Sequence, residues 1–340
     1  MLIYTIFFVA QFIAVAVVRL RHTALKRPLV IALAAASAAF AGLRGNVGTD
    51  TFVYRTYYES VGASEPAFDF GPVFLAISTV GNWLEFDSQF LLLVVAAIQC
   101  LLVLAIASMI SEPDIFYLLV LSRFYVPLDL NIIRNGLSAH LAALAIALFI
   151  QRCWAKSTVL SVMAISVHAS AIVVLFVFFP LLIGVGAIIT QIAPNGLTHF
   201  DQFAAALGAP ALNWPGIGAT TIYALFALCL SIERLWRAPL VTICLALSIV
   251  CSVAGPSSLI FERSGIYFEF GLFIALFTRA LKSRQTRVIL GIISVLYAYR
   301  SVAFVANSDA AMAELFAQKP GMKQLYVQTL WIPYHFFWQH

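Results

Sequence analysis

Charge is scarce in this chain. Asp, Glu, Lys and Arg make up only 10% of its 340 residues, whereas 62% are hydrophobic. Together with a mean hydropathy of +0.97, that balance excludes an ordinary soluble domain and an intrinsically disordered chain. Cysteine is sparse as well. The five residues Cys100, Cys153, Cys229, Cys244 and Cys251 lie mostly inside apolar runs and never in CxxC spacing. They read as small core residues, which argues against a disulfide framework and a thiolate metal site. Low-complexity Ser/Gly or Pro tracts, a fixed-period repeat and a composition shift are all missing, so we expect residues 1–340 to form a single integral membrane domain. The net charge of +5 comes from short basic clusters between apolar runs, a topology signal and no footprint for nucleic acid.

What is abundant is apolar sequence of near-membrane length. Runs at 2–20, 28–43, 88–110, 115–128, 136–151, 217–232, 238–254, 263–281 and 288–306 are candidate crossings. Several fall short of the roughly 20 residues an upright helix needs, so their ends must continue into polar-looking sequence at membrane depth. A longer run over 157–188, carrying His168 and Pro180, predicts a broken or kinked crossing, its break buried in protein or lining a cavity. The expectation is an all-α, polytopic transmembrane bundle of about 10–12 spans with re-entrant or broken segments. The stretch Gly71–Leu84 is expected to be re-entrant or interfacial if the chain crosses about ten times. Four basic clusters orient it: Arg19, Arg21, Lys26 and Arg27; Arg152 and Lys156; Arg234 and Arg237; Lys282, Arg284 and Arg287. By the positive-inside rule they mark the cytoplasmic side. The loop 44–70 and the tail 307–340, with Tyr334 and His335, then face outward. A basic flank after the first span and none before it is the reverse of a cleavable signal peptide.

The charges left over are not topology signals. In Arg44-Gly45-Asn46-Val47-Gly48-Thr49-Asp50-Thr51-Phe52-Val53-Tyr54 a cation, an anion, two glycines and a phenol sit between apolar runs. Lipid tolerates such groups only where they face water, a partner or a substrate. Arg55, Asn131, Arg134, His168, Glu262 and Arg263 fall on the same outer side. These cations are all Arg, whose fork of donors suits bidentate phosphate recognition and stays protonated at any working pH. Several arginines around one cavity repel unless an anion sits among them, which points to a pyrophosphate. Asp50, His168 or Glu262 would take a proton from an attacking hydroxyl. Plainer roles stand beside these: Arg44 pairing with Asp50 to fix a turn, Arg134 as an interhelix strut, and His168 packing against a carbonyl. Glu262 with Arg263 would make a surface pair, and Tyr57 and Tyr58 would be interfacial belt residues.

These motifs resemble the EpsG-like branch of the Wzy-type polysaccharide polymerases. Arg44, Gly48, Asp50 and Tyr54 fit its R-x(3)-G-x-D-x(3)-Y pattern. Asn131-Ile132-Ile133-Arg134-Asn135-Gly136-Leu137-Ser138 is similar to its N-x-I-R-Q-x-(L/I)-A helix start, with Asn135 in place of Gln and Ser138 in place of Ala. His168-Ala169-Ser170-Ala171 matches H-x-S-A, Arg263 and Tyr267 match R-x(3)-Y, and Pro333-Tyr334 matches the short tail. Glu65 to Phe74 is a loosened form of its E-P-G-F segment.

The resemblance implies a glycosyltransferase of GT-C-like architecture in the bacterial cytoplasmic membrane, with its active face toward the periplasm. It would be metal-independent, without a cofactor, and would join polyprenyl-pyrophosphate-linked oligosaccharide donor and acceptor units for capsule, exopolysaccharide or O-antigen synthesis. Membrane lipid and a chain-length regulator would be its other partners. On this reading Arg44, Arg134 and Arg263 hold the pyrophosphate, Tyr54, Asn131 and Tyr267 contact it or the sugars, and Asp50, His168 or Glu262 supplies the base. Two rival classes are a transporter or flippase of an anionic lipid-linked glycan or solute, and an outward-facing sensor or scaffold.

Overall fold

We describe a computed structural model covering residues 2–21, 23–45, 50–61, 70–172, 217–254, 259–279 and 281–318. Twelve α-helices and no strand occur among these residues. They are α1 (Leu2–Arg21), α2 (Lys26–Gly42), α3 (Thr51–Val61), α4 (Pro72–Trp83), α5 (Gln89–Ser108), α6 (Pro113–Phe124), α7 (Ile133–Ile150) and α8 (Trp154–Val167), followed by α9 (Ile217–Ile232), α10 (Pro239–Ala254), α11 (Leu259–Phe277) and α12 (Arg284–Gln318). The architecture is a polytopic helical bundle. The chain forms two compact units, one of residues 1–108, 113–137 and 294–340, the other of 109–112 and 138–293.

Among the described residues, four helices are long and apolar enough to cross a membrane: Leu2–Leu20, Gln89–Ser108, Ile133–Ile150 and Arg284–Val305. The first shows why. Leu2, Ile6, Val9, Ile13, Val17 and Leu20 are exposed along one side of α1, while Tyr4, Phe8, Gln11 and Val15 are buried on the other. An exposed apolar stripe of that length is at home in lipid. This is a membrane protein. The apolar stretches Trp154–Val167, Gly218–Ile232, Pro239–Val253 and Ser264–Phe277 are shorter: α8, with 14 residues, is only about 21 Å long, less than the roughly 30 Å hydrocarbon core. The segment Gly71–Leu84 forms α4, of 12 residues, too short to span. Its start is cut by Gly71, whose φ of 84° needs glycine, followed by Pro72 at the first helical position.

Among the described residues two breaks interrupt the helices. After Phe124 the chain widens into a π turn, Tyr125–Asp129. Pro127 at its centre has no N–H to give the carbonyl four residues back, and its ring crowds that carbonyl. Leu130 N–H bonds Tyr125 O at 3.0 Å and Ile132 N–H bonds Pro127 O at 3.0 Å instead. In the second unit α8 stops at Val167, His168 is extended (φ −154°, ψ 121°), and a 3₁₀ turn covers Ala169–Ala171. The break predicted within 157–188 is at His168. Residues 173–188 lie outside the described residues, as do 46–49, 62–69 and the tail from 319 on. The backbone of 307–318 continues α12 and so belongs to a helix.

Each unit carries its basic junctions and its polar motifs apart. In the first, Arg19 near the end of α1 forks onto Asp114 at the start of α6, with Nε–Oδ2 at 2.5 Å and Nη2–Oδ1 at 3.0 Å. Lys26 opens α2, and Arg44 follows the other end of that 17-residue helix, about 25 Å away. In the second unit Glu233 accepts the backbone N–H groups of Ser283 (2.9 Å) and Lys282 (3.2 Å). That joins the α9–α10 and α11–α12 junctions, so two of the four basic clusters share one end.

Gly136, in the first turn of α7, is where the π turn packs closest. A Cβ there would lie 2.7 Å from Gln99 Nε2 and 3.1 Å from both Leu128 Cβ and Leu128 O. Gly136→Ala is therefore expected to destabilise the protein by about 1–3 kcal/mol, measured as a lowered unfolding midpoint in detergent.

Candidate functional site

In the first unit the motif residues converge on the π turn. Arg44, fully buried, points its Nη1 at Ala41 O (2.5 Å) and Asp129 O (3.3 Å), with Nε 3.5 Å from Thr51 Oγ1. Its guanidinium thus caps a carbonyl at the end of α2 and ties it to the end of the π turn. Gln89 at the start of α5 donates to the neighbouring Gly42 O, and Arg55 Nη2 holds Gln89 Oε1 at 2.6 Å. Arg55 is a strut between α3 and α5.

Asp50 directly precedes α3, its carbonyl accepting Tyr54 N–H at 3.2 Å, which is the N-cap position. Its own N–H donates to Asn131 Oδ1 at 3.1 Å. Tyr54, buried on α3, accepts Arg134 N–H on its hydroxyl oxygen at 3.4 Å. Burial pushes the Tyr54 phenol above its ordinary range, the Asp50 carboxylate adds to that, and the Arg134 N–H opposes it. The hydroxyl stays protonated and remains a donor. Arg134, half-buried in the first turn of α7, lays its guanidinium over the Phe70 ring at 5.0 Å. Phe70 in turn contacts Tyr57 (4.5 Å between centroids) and Tyr54 (5.3 Å). The result is an aromatic floor with a partly accessible guanidinium on it, at the positive end of a helix.

Asp129 did not stand out in the sequence. It is two residues before Asn131 at the edge of an apolar run, and only the π turn carries it inward. Burial drives its carboxyl well above the ordinary value, with the nearby Arg44 charge acting the other way.

The second unit organises a different set. His168 Nδ1 accepts Ser170 N–H at 3.2 Å, capping the 3₁₀ turn. A backbone N–H can only donate, so the neutral ring carries its proton on Nε2. Ser170 Oγ lies 2.6 Å from that Nδ1 and 3.2 Å from Tyr267 Oη, which donates to Ser138 Oγ at 3.1 Å. Ser138 donates to Ala164 O at 2.7 Å, a carbonyl that also accepts the His168 N–H at 3.0 Å, and lies 3.5 Å from His168 O. The motif residues His168, Ser170, Tyr267 and Ser138 therefore form one hydroxyl–imidazole chain. Ser170 was visible in the H-x-S-A match, but its role comes only from this geometry. Glu262 and Arg263 fall on the first turns of α11, with side chains outside the described residues.

No group of three or more metal-binding side chains occurs among the described residues. The EpsG family matches residues 28–318, a span containing every motif above except the Pro333-Tyr334 tail. The chain belongs to the EpsG family. No curated protein and no solved structure matches it. Family membership supports a polysaccharide-polymerase-like membrane protein.

Because His168 is a cap acceptor, His168→Ala is expected to cost about 1 kcal/mol of stability. His168→Asn, whose side-chain oxygen can take the same N–H, should lose only a few tenths. Thermal unfolding of the two variants side by side checks the assignment.

Proposed function

We propose that the protein is a glycosyltransferase that extends a polysaccharide from polyprenyl-pyrophosphate-linked units at the outer face of a bacterial cytoplasmic membrane. Arg134 carries this reading. Its guanidinium lies on the Phe70 ring beside the Tyr54 phenol, in the first turn of α7, and it is only half-buried. Such a platform suits a diphosphate joined to a sugar: the fork and helix end take the anion, and the aromatic faces take the apolar side of a pyranose. Arg44 supports it in another way, holding the turn that presents α7 and adding positive charge behind it.

In the transfer, the C1–O bond between donor sugar and pyrophosphate breaks, and polyprenyl pyrophosphate leaves. An acceptor hydroxyl forms the new C1–O bond and gives up its proton. Arg134 opposes the negative charge that builds on the leaving group, usually the largest catalytic contribution. Asp50, at the start of α3 and hydrogen-bonded through its backbone to Asn131, is the base we favour. His168 with Nε2–H is suited to donate, and so to steady an oxygen of the ligand. Arg263 and Glu262 are further candidates for binding and proton transfer.

Purified protein in nanodiscs, given lipid-linked repeat units, provides the test. Arg134→Ala should slow polymer formation about 10²–10³-fold, and Arg134→Lys should recover little of it, since Lys lacks the planar fork. Asp50→Asn should abolish turnover while leaving lipid-linked donor bound. Normal chain growth by Arg134→Ala would sink the diphosphate assignment. Loss of lipid translocation with intact polymerisation would favour the transporter reading.

A further inference from the structure

We propose that the second unit carries a binding surface for anionic phospholipid headgroups, where the α9–α10 turn meets the α11–α12 junction. Glu233 joins the two, its Oε1 accepting the Ser283 N–H at 2.9 Å and its Oε2 the Lys282 N–H at 3.2 Å. Four cations are brought together by that link. Arg234 directly follows Glu233, and Arg279, Lys282 and Arg284 lie around the two N–H groups. All four side chains are exposed.

Their surroundings separate these cations from the structural ones. Among the described residues none of the four side chains makes an ion pair or a hydrogen bond. Glu233 has each oxygen engaged with a backbone N–H and pairs with none of them. The next cation along α12 behaves differently. Arg287 is half-buried and reaches Glu112 Oε1 at 3.3 Å and Leu281 O at 3.1 Å, so it holds the fold together. Arg234 even keeps its charge at a φ of 57°, a conformation in which glycine would be relaxed. Like charges gathered this way repel one another, and a phosphate among them removes the repulsion.

The apolar neighbours point to a lipid as the source of that phosphate. Trp236, in the same turn, is 45% exposed, with Nε1 donating to Ser231 Oγ at 2.8 Å. A ring partly bare beside a satisfied N–H is how an indole sits at a membrane surface. One turn beyond Arg284, Val288 is 55% exposed, and Ile292 follows on the same side of α12. That face suits acyl chains. In a phospholipid the phosphate lies directly above the chains, so one molecule meets the cations and covers Val288 and Ile292 together. An acidic soluble protein or a free phosphate would leave that apolar face bare. A headgroup shared between Arg234 and Lys282 or Arg284 would also clamp the two junctions to each other. The surface does not depend on the polymerase reading.

The test titrates the full chain in detergent with short-chain phosphatidylglycerol or phosphatidylcholine and counts bound lipid by native mass spectrometry. Phosphatidylglycerol should bind saturably and more tightly than phosphatidylcholine, and excess inorganic phosphate should not displace it. The double variant Lys282→Gln, Arg284→Gln should weaken phosphatidylglycerol about 25-fold, each charge being worth about fivefold. Arg234→Gly should weaken it about fivefold without lowering the unfolding midpoint, because that backbone conformation suits glycine. The pair Arg152→Gln, Lys156→Gln removes as much charge from other exposed positions of this unit and should leave the affinity unchanged. If the first double variant does not fold, Arg234→Gly decides. Equal affinity of the wild type for the two lipids would overturn the proposal, as would undiminished affinity in the junction variants. An equal loss in the Arg152 and Lys156 pair would also overturn it, leaving only a general attraction of net charge. Displacement by inorganic phosphate would overturn the lipid assignment in favour of a free anion.

Discussion

A backbone amide or carbonyl released by a helix break has no water to turn to inside a bilayer, and leaving it bare costs several kcal/mol. This protein breaks its helices repeatedly, so polar side chains must come to the backbone. At the end of α2, Arg44 and Gln89 cover carbonyls. Beyond the π turn, Asn131 takes the Asp50 N–H and Tyr54 takes the N–H of Arg134. At the α8 break, His168 Nδ1 covers Ser170 N–H.

The consequence for chemistry is a division of labour among residues of the same type. Arg44 and Arg134 look equivalent in a sequence, yet one has its guanidinium turned into the backbone and the other lies half-open on an aromatic floor. A fully buried arginine engaged with carbonyls is costly to redirect toward a ligand, whereas a half-buried one in a first helical turn can accept an anion with little rearrangement. The same logic separates Asp50 from Asp129. The first sits at a helix start beside the proposed platform, and the second ends the π turn, where burial pushes its carboxyl well above the ordinary value and the Arg44 charge opposes that. His168 likewise owes its tautomer to the 3₁₀ turn it caps, and that tautomer favours donation from Nε2.

Much of the architecture was legible in the chain. The apolar runs announced a helical membrane bundle, Pro127 and His168 lie where helices stop, and the short Gly71–Leu84 stretch is a short helix. The polar motifs were legible as a set because charge is so expensive in lipid that each retained group stands out. Their individual tasks were not. Spacing places Arg134 and Ser138 four residues apart on a helix, but it says nothing of Phe70 beneath one or the α8 carbonyl beside the other. Asp129 escaped notice because it sits next to an apolar run and only burial gives it meaning.

Composition and hydrophobic periodicity were enough to place this protein in a membrane, as helices, with its unusual residues gathered into a few ordered motifs. They suffice because hydrophobic burial responds to pattern averaged over many residues. Which arginine is occupied by the backbone and which nitrogen of His168 holds the proton were decided only by tertiary structure. A hydrogen bond depends on tenths of an ångström and on direction, and neither is written in the spacing of residues along the chain.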